Sequence, residues 1–188
     1  MILGSDKAKV ADSAVGQTFK TTVYPVVLDG KTYNLHDTVG FGEHSGGTAD
    51  SVKAAGNLYR LVTSLSNSGG VNLLVFVVRN GRLTEDRHKN YRLFHEGFCE
   101  SKVPIVVVVT GCETVEPPMD SWWINNASSF ERAGMSFNGY ACVCAFKGTA
   151  AAGYRDKDLV EQSAVVVKQL VIRHCMSDGW KQVSCTSS

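Results

Sequence analysis

Three long, largely apolar runs dominate the pattern of hydrophobic and polar positions along the chain. They cover residues 71–78, 103–109 and 140–146. Runs of this length without polar alternation are typical of strands in a parallel sheet that is buried on both faces. Segments with helical spacing of apolar residues predict helices around residues 49–66, 84–98, 119–133 and 156–175. Strands that alternate with helices predict an α/β fold with a mainly parallel sheet.

Two short β-prone segments come before the first of these helices. Residues 23–28 and 31–36 flank the pair Asp29-Gly30. A two-residue type I′ turn needs positive φ at both central positions, which Asp-Gly tolerates, so we expect an antiparallel hairpin here. A glycine-rich stretch, residues 40–48, follows the hairpin. At the other end of the chain, residues 176–188 are expected to form a polar tail that frays.

Composition and charge narrow the class of protein. The chain has 188 residues, of which 44% are hydrophobic, and this suits one soluble domain. A net charge of +1 gives no large basic field that would argue for binding to nucleic acid. The six cysteines form no C-x-x-C pair, which favours reduced thiols over a zinc site. The chain starts without a long apolar segment and has none that would span a membrane, so we expect a cytoplasmic protein.

A D-x-x-G sequence, Asp37 to Gly40, stands directly after the predicted hairpin. Ligands of parallel α/β sheets bind at the carboxyl ends of the strands, where such loops lie. The carboxylate of Asp37 is suited to hold Mg²⁺, usually through water, and the backbone N–H of Gly40 is suited to approach a γ-phosphate. The alternative is a glycine-rich turn in which Asp37 caps the backbone.

The hairpin that runs into Asp37–Gly40 resembles the second and third strands and switch II of Ras-like P-loop GTPases. Four longer strings resemble the little-studied G-domain proteins of mushroom-forming fungi. They are residues 33–38, 70–78, 103–111 and 119–123. The resemblance implies a three-layer, Ras-like G domain over residues 1–175 that binds GTP or GDP with Mg²⁺. In its complete form such a domain is expected to be a GTPase.

The resemblance also assigns the metal and phosphate side of the site. Switch I of such proteins contributes a threonine whose hydroxyl meets Mg²⁺, and Thr22, with Thr21 as the alternative, stands just before the hairpin. Thr22 and Asp37 are therefore the expected metal ligands, and Thr22 and Gly40 the expected catalytic positions. The alternative for both threonines is that they are β-branched residues opening a strand.

Two loops resemble the elements that read guanine. Thr110-Gly111-Cys112-Glu113 stands where these proteins carry Asn/Thr-Lys-x-Asp, so Glu113 would replace the aspartate and Gly111 the lysine. Ala145 and Lys147 stand where a Ser/Cys-Ala-Lys element would contact the base. Because Gly111 has no side chain to pack along the base, the preference for guanine over adenine stays open. The alternatives are a helix-capping or solvated Glu113 and a solvated Lys147.

The phosphate-binding loop G-x-x-x-x-G-K-S/T does not occur in the sequence. Gly30-Lys31-Thr32 is rejected because it lies in the hairpin turn and opens no helix. Residues 1–12 resemble the far end of the helix that follows this loop, so we expect the first strand and the loop to be missing. We therefore expect the chain to bind GTP weakly or not at all. Two alternatives remain: a non-catalytic pseudo-GTPase that binds a protein partner or a second copy of itself, and a flavodoxin-like nucleotide-binding protein.

Overall fold

The structure is a computed structural model that describes residues 22–38, 48–145 and 157–182. Five strands are described: β1 Thr22–Leu28, β2 Lys31–Asp37, β3 Leu74–Arg79, β4 Ile105–Thr110 and β5 Gly139–Cys142. Four α-helices accompany them: α1 Thr48–Ser68, α2 Glu85–Tyr91, α3 Ser121–Arg132 and α4 Lys157–His174. A π-helical segment, Arg92–Phe98, continues α2. The alternation of strands and helices confirms the predicted α/β class.

The predicted hairpin is formed by β1 and β2. The two strands pair antiparallel from Thr22 opposite Asp37 to Leu28 opposite Lys31. Asp29 has φ 48° and Gly30 has φ 73°, so both turn residues adopt the positive φ that a type I′ turn requires. The Asp-Gly pair therefore sets the register of the hairpin, as predicted.

The predicted parallel sheet has the order β3-β4-β5, with every pairing parallel. Val106 and Val108 of β4 pack on one face against Val167 and Leu170 of α4. The opposite face of the sheet is covered by an aromatic cluster from α3 and the segments around it. It includes Tyr91, Trp122, Trp123, Phe130 and Phe137. Helices thus cover both faces of β4, as its continuous apolar run predicted.

The hairpin strands are not hydrogen-bonded to the parallel sheet as further strands of it. β1 and β2 form a separate two-stranded sheet, and they pack through Val26 and Leu28 on Val171 of α4. In the part of the chain that is described, β3 has β4 as its only ladder partner. The observed arrangement is therefore a three-stranded parallel sheet with a separate antiparallel hairpin, and the Ras-like topology stays a prediction.

The beginning of the expected polar tail is packed on the domain. Trp180 exchanges two backbone hydrogen bonds with Val71, each of 2.9 Å, and the Asn72 amide donates to the Met176 carbonyl at 2.9 Å. The Trp180 ring packs on the buried side chains of Val71, Cys99 and Val103. The expectation of a frayed tail is therefore wrong for residues 176–182, because backbone pairing and one tryptophan anchor them. Residues 183–188 lie outside the described part.

Candidate functional site

The carboxyl ends of the three parallel strands form one edge of the sheet. β3 ends at Arg79, β4 at Thr110 and β5 at Cys142. Because the strands are parallel, the segments that follow them emerge on the same side, which is where α/β sheets bind ligands. The loop Thr110–Glu113, predicted to read guanine, and Ala145 both lie at this edge.

The turn after β4 is built around Gly111, which has φ 79°. The Asn80 side chain donates a hydrogen bond of 2.7 Å to the Gly111 carbonyl, and the Asn80 backbone N–H donates to the Thr110 carbonyl at 2.8 Å. A Cβ atom at position 111 would lie 3.1 Å from Asn80 Oδ1 and 3.3 Å from Arg79 Cγ. Glycine is therefore favoured here by the backbone conformation and by close neighbours.

Thr110 and Glu113 differ in what their side chains contact. The Thr110 hydroxyl donates to the Val78 carbonyl at 3.3 Å and so links β4 to β3 by a side-chain hydrogen bond. Glu113 Oε2 is a buried atom that has no hydrogen-bond partner among the described residues. A buried carboxylate oxygen without a donor is unfavourable, typically by about 1–3 kcal/mol or more for a charged group. Glu113 is thus the member of this loop whose side chain has hydrogen-bonding capacity that the described residues leave unused.

The segment after β5 is hydrogen-bonded to α4. The backbone N–H of Cys144 donates to the Ser163 hydroxyl at 3.0 Å, and Ser163 is only 1% exposed. Ala145, the next residue, is exposed at the edge of the sheet. Lys147 lies outside the described residues.

The two expected metal ligands meet at the open end of the hairpin. Thr22 and Asp37 are directly opposite each other in the β1–β2 register, and both are exposed. Residues directly opposite in an antiparallel pair have Cα atoms about 4.5–5.5 Å apart, so the two side chains are close neighbours on one face of the hairpin. Gly40 lies outside the described residues, as does Thr21.

No cluster of three or more His, Cys, Asp or Glu side chains that would hold a metal occurs among the described residues. A Mg²⁺ ion at Thr22 and Asp37 would need further oxygen ligands, because Mg²⁺ is octahedral and is usually shared with substrate phosphates and water. The pair alone is suited to complete the shell of a metal ion that arrives with a nucleotide.

Two residues that sequence reasoning missed hold this edge together. Asn80 fixes the Gly111 turn, and Ser163 fixes the segment after β5. The position of Asn80, directly after an apolar strand, is a signal that could have identified it, because polar residues at strand ends often shape sites. Ser163 lies inside the helical pattern of α4 and gave no such signal.

Among the described residues, no helix combines the length and the apolar character needed to cross a bilayer. No protein-family model matches the chain, and no curated protein matches it.

Proposed function

We propose that the chain binds a guanine nucleotide, with the base at the carboxyl ends of β4 and β5. The observation that carries this proposal is the buried Oε2 atom of Glu113, which lacks a donor among the described residues. Guanine presents N1–H and the 2-amino group side by side, and a carboxylate accepts both. Adenine offers one amino donor beside a ring acceptor, so it would leave part of the carboxylate unpaired.

The support for the base site is a rigid turn. Asn80 donates one hydrogen bond to the Gly111 carbonyl and one to the Thr110 carbonyl, and the Cys112 N–H donates to the Val143 carbonyl at 3.2 Å. The loop after β4 is thus joined to both neighbouring strands. A turn held on both sides positions Glu113 without the entropy loss that a mobile loop would suffer on binding.

The phosphate side of the proposed site has fewer binding groups than a P-loop GTPase provides. Thr22 and Asp37 supply oxygen atoms for Mg²⁺, but the sequence contains no G-x-x-x-x-G-K-S/T loop to surround the phosphates. Most phosphate donors of a P-loop GTPase come from that loop. We therefore propose weak, magnesium-assisted binding of GTP or GDP and no measurable GTP hydrolysis by this chain.

Titrating the ¹⁵N-labelled chain with GTP and with ATP, each with Mg²⁺, tests the proposal, because amide chemical shifts report weak binding. We expect GTP to shift the amide signals of Gly111, Cys112 and Glu113 at lower concentration than ATP does. In Glu113→Gln these shifts should be lost, whereas Glu116→Gln, an exposed glutamate on the same loop, should respond like the wild type. Equal responses to GTP and ATP would refute the assignment of Glu113.

A second candidate, a non-catalytic interaction module, is favoured by the exposed side of β3. Val77 is 61% exposed although its strand, β3, is apolar. One edge of β3 pairs with β4, and the other edge has no hydrogen-bonded strand among the described residues. Open apolar sheet edges pair readily with other strands. Sedimentation of the wild type and of Val77→Lys over a concentration series tests this candidate. Self-association that Val77→Lys weakens would support a homodimer, and a monomer in both cases would count against it.

A further inference from the structure

Two cysteines lie next to each other beneath the turn after β4. Cys142 of β5 is the register partner of Val109 of β4, so their side chains share one face of the sheet. Cys112 lies beside Val109 and β5, because its backbone N–H donates to the Val143 carbonyl and its thiol donates to the Val109 carbonyl at 3.5 Å. Both thiols belong to one apolar cluster and are free.

The Cys112 and Cys142 side chains are close enough to share a hydrogen bond. This hydrogen bond lowers the pKa of Cys112, against the opposing effect of burial. It raises the pKa of Cys142, and burial adds to that increase. The Cys112 sulfur is therefore the better nucleophile of the pair, since the thiolate is the reactive form of cysteine.

We propose that Cys112 and Cys142 form a reversible disulfide when the protein meets hydrogen peroxide. The Cys112 thiolate attacks one peroxide oxygen, the O–O bond breaks, and hydroxide leaves and is protonated to water. The resulting sulfenic acid on Cys112 is attacked by the Cys142 sulfur, which loses its proton as a second water leaves. Two thiols are oxidised by two electrons, and one peroxide is reduced to two waters.

Burial limits which oxidants reach this pair. Cys112 is 0% exposed and Cys142 is 4% exposed, so a bulky disulfide reagent has no direct access to either sulfur. Hydrogen peroxide is close to water in size and needs a smaller opening. The nearby resolving thiol protects Cys112, because disulfide formation competes with further oxidation to the irreversible sulfinic acid.

The disulfide would link the turn after β4 covalently to β5. Glu113 is the residue after Cys112, so the link would restrain the carboxylate that the proposed guanine site uses. That functional consequence rests on the proposed nucleotide site, whereas the formation of the bond does not. Failure to form the disulfide and failure to bind GTP are therefore separate results.

The test uses the reduced full chain, treated with hydrogen peroxide, alkylated and digested with trypsin without reductant. Cleavage after Lys102, Arg132 and Lys147 places Cys112 in one peptide and Cys142 in the next, together with Cys144. We expect these two peptides to be linked, with a mass two hydrogen atoms below the sum of their separate masses. Dithiothreitol should separate them again. A Cys112 that stays a thiol, or becomes sulfinic acid without a link, while Cys175 is oxidised would overturn the proposal.

Matched variants identify the partner sulfur. Cys142→Ser should abolish the linked peptide, whereas Cys144→Ser should retain it in full, although Cys144 lies on the same tryptic peptide. A link that survives Cys142→Ser and disappears in Cys144→Ser would overturn the assignment. If Cys142→Ser fails to fold by circular dichroism, fragmentation of the linked peptide from the Cys144→Ser protein still decides the case.

Discussion

Strands β3 and β4 lie side by side and carry nearly the same apolar side chains. Val77 and Val108 are register partners, so their side chains point to the same face of the sheet. Val108 is 3% exposed, whereas Val77 is 61% exposed. β4 has a hydrogen-bonded neighbour on both edges, and β3 has one among the described strands. Burial in this sheet therefore follows from the number of neighbouring elements rather than from side-chain type.

The largest expected effect compares these two register partners directly. Val108→Asp would place a charge without a partner in the core under α4, and we expect a loss of about 4 kcal/mol or more in the free energy of unfolding. Val77→Asp leaves the charge in water, so we expect a loss of about 1 kcal/mol or less. Urea unfolding followed by circular dichroism measures both. Similar losses would mean that Val77 is covered in solution.

A second prediction concerns residues 69–72, the segment just before β3, which the C-terminal segment contacts. A Cβ atom on Gly179 would collide with the Gly69 carbonyl oxygen and lie 2.9 Å from Gly70 Cα. We expect Gly179→Ala to destabilise the domain by about 1–3 kcal/mol.

Gly56 of α1 is the control for that substitution. An added Cβ there has nothing within 4 Å, so Gly56→Ala should stabilise the helix by about 0.5–1 kcal/mol. Thermal unfolding of the two variants should therefore move in opposite directions. A Gly179→Ala protein as stable as the wild type would show that residues 176–182 do not hold residues 69–72 in solution.

The smallest expected effect is a pH dependence that arises in the hairpin. His36 of β2 is half-buried, its Nδ1 atom has no partner among the described residues, and burial lowers its pKa from 6.5. The unfolded chain therefore takes up a proton at higher pH than the folded chain. The contribution of neutral His36 to stability is complete above pH 6.5 and is lost progressively as the pH falls from 6.5 through the lower pKa of folded His36.

Chemical unfolding at a series of pH values measures this effect. We expect His36→Gln to lose less stability than the wild type between neutral and acidic pH. Burial also lowers the pKa of His95, so part of the dependence should remain in this variant. His88→Gln on α2 is the matched histidine control. A His36→Gln profile identical to the wild type would contradict the explanation.

Much of the fold followed from local patterns in the sequence. The continuous run of β4 and the Asp29-Gly30 turn were placed correctly, because burial on both faces and positive φ each select particular residues. The separation of the hairpin from the parallel sheet was not predicted. It depends on which edges meet in three dimensions, and the apolar residues of β3 are compatible with either a covered or an open edge.

The candidate site was predicted in part. The position of Glu113 after β4 was expected from the order of elements, and the pairing of Thr22 with Asp37 follows from the hairpin register. The packing of Trp180 was missed because a single tryptophan in a polar segment has no periodicity to indicate burial. The contact between Cys112 and Cys142 was missed because it joins the turn after β4 to β5, which are adjacent in space but distant in sequence.

The most direct test of the proposed base site changes the hydrogen-bonding groups of residue 113 and of the base together. Xanthine carries a carbonyl oxygen where guanine carries the 2-amino group, and the Glu113→Gln amide is able to donate to it. We predict that the wild type and Glu116→Gln respond to GTP at lower concentration than to xanthosine triphosphate, and that Glu113→Gln reverses this order. An unchanged order in Glu113→Gln, or no response of the folded wild type to GTP, would contradict the proposal that Glu113 reads guanine.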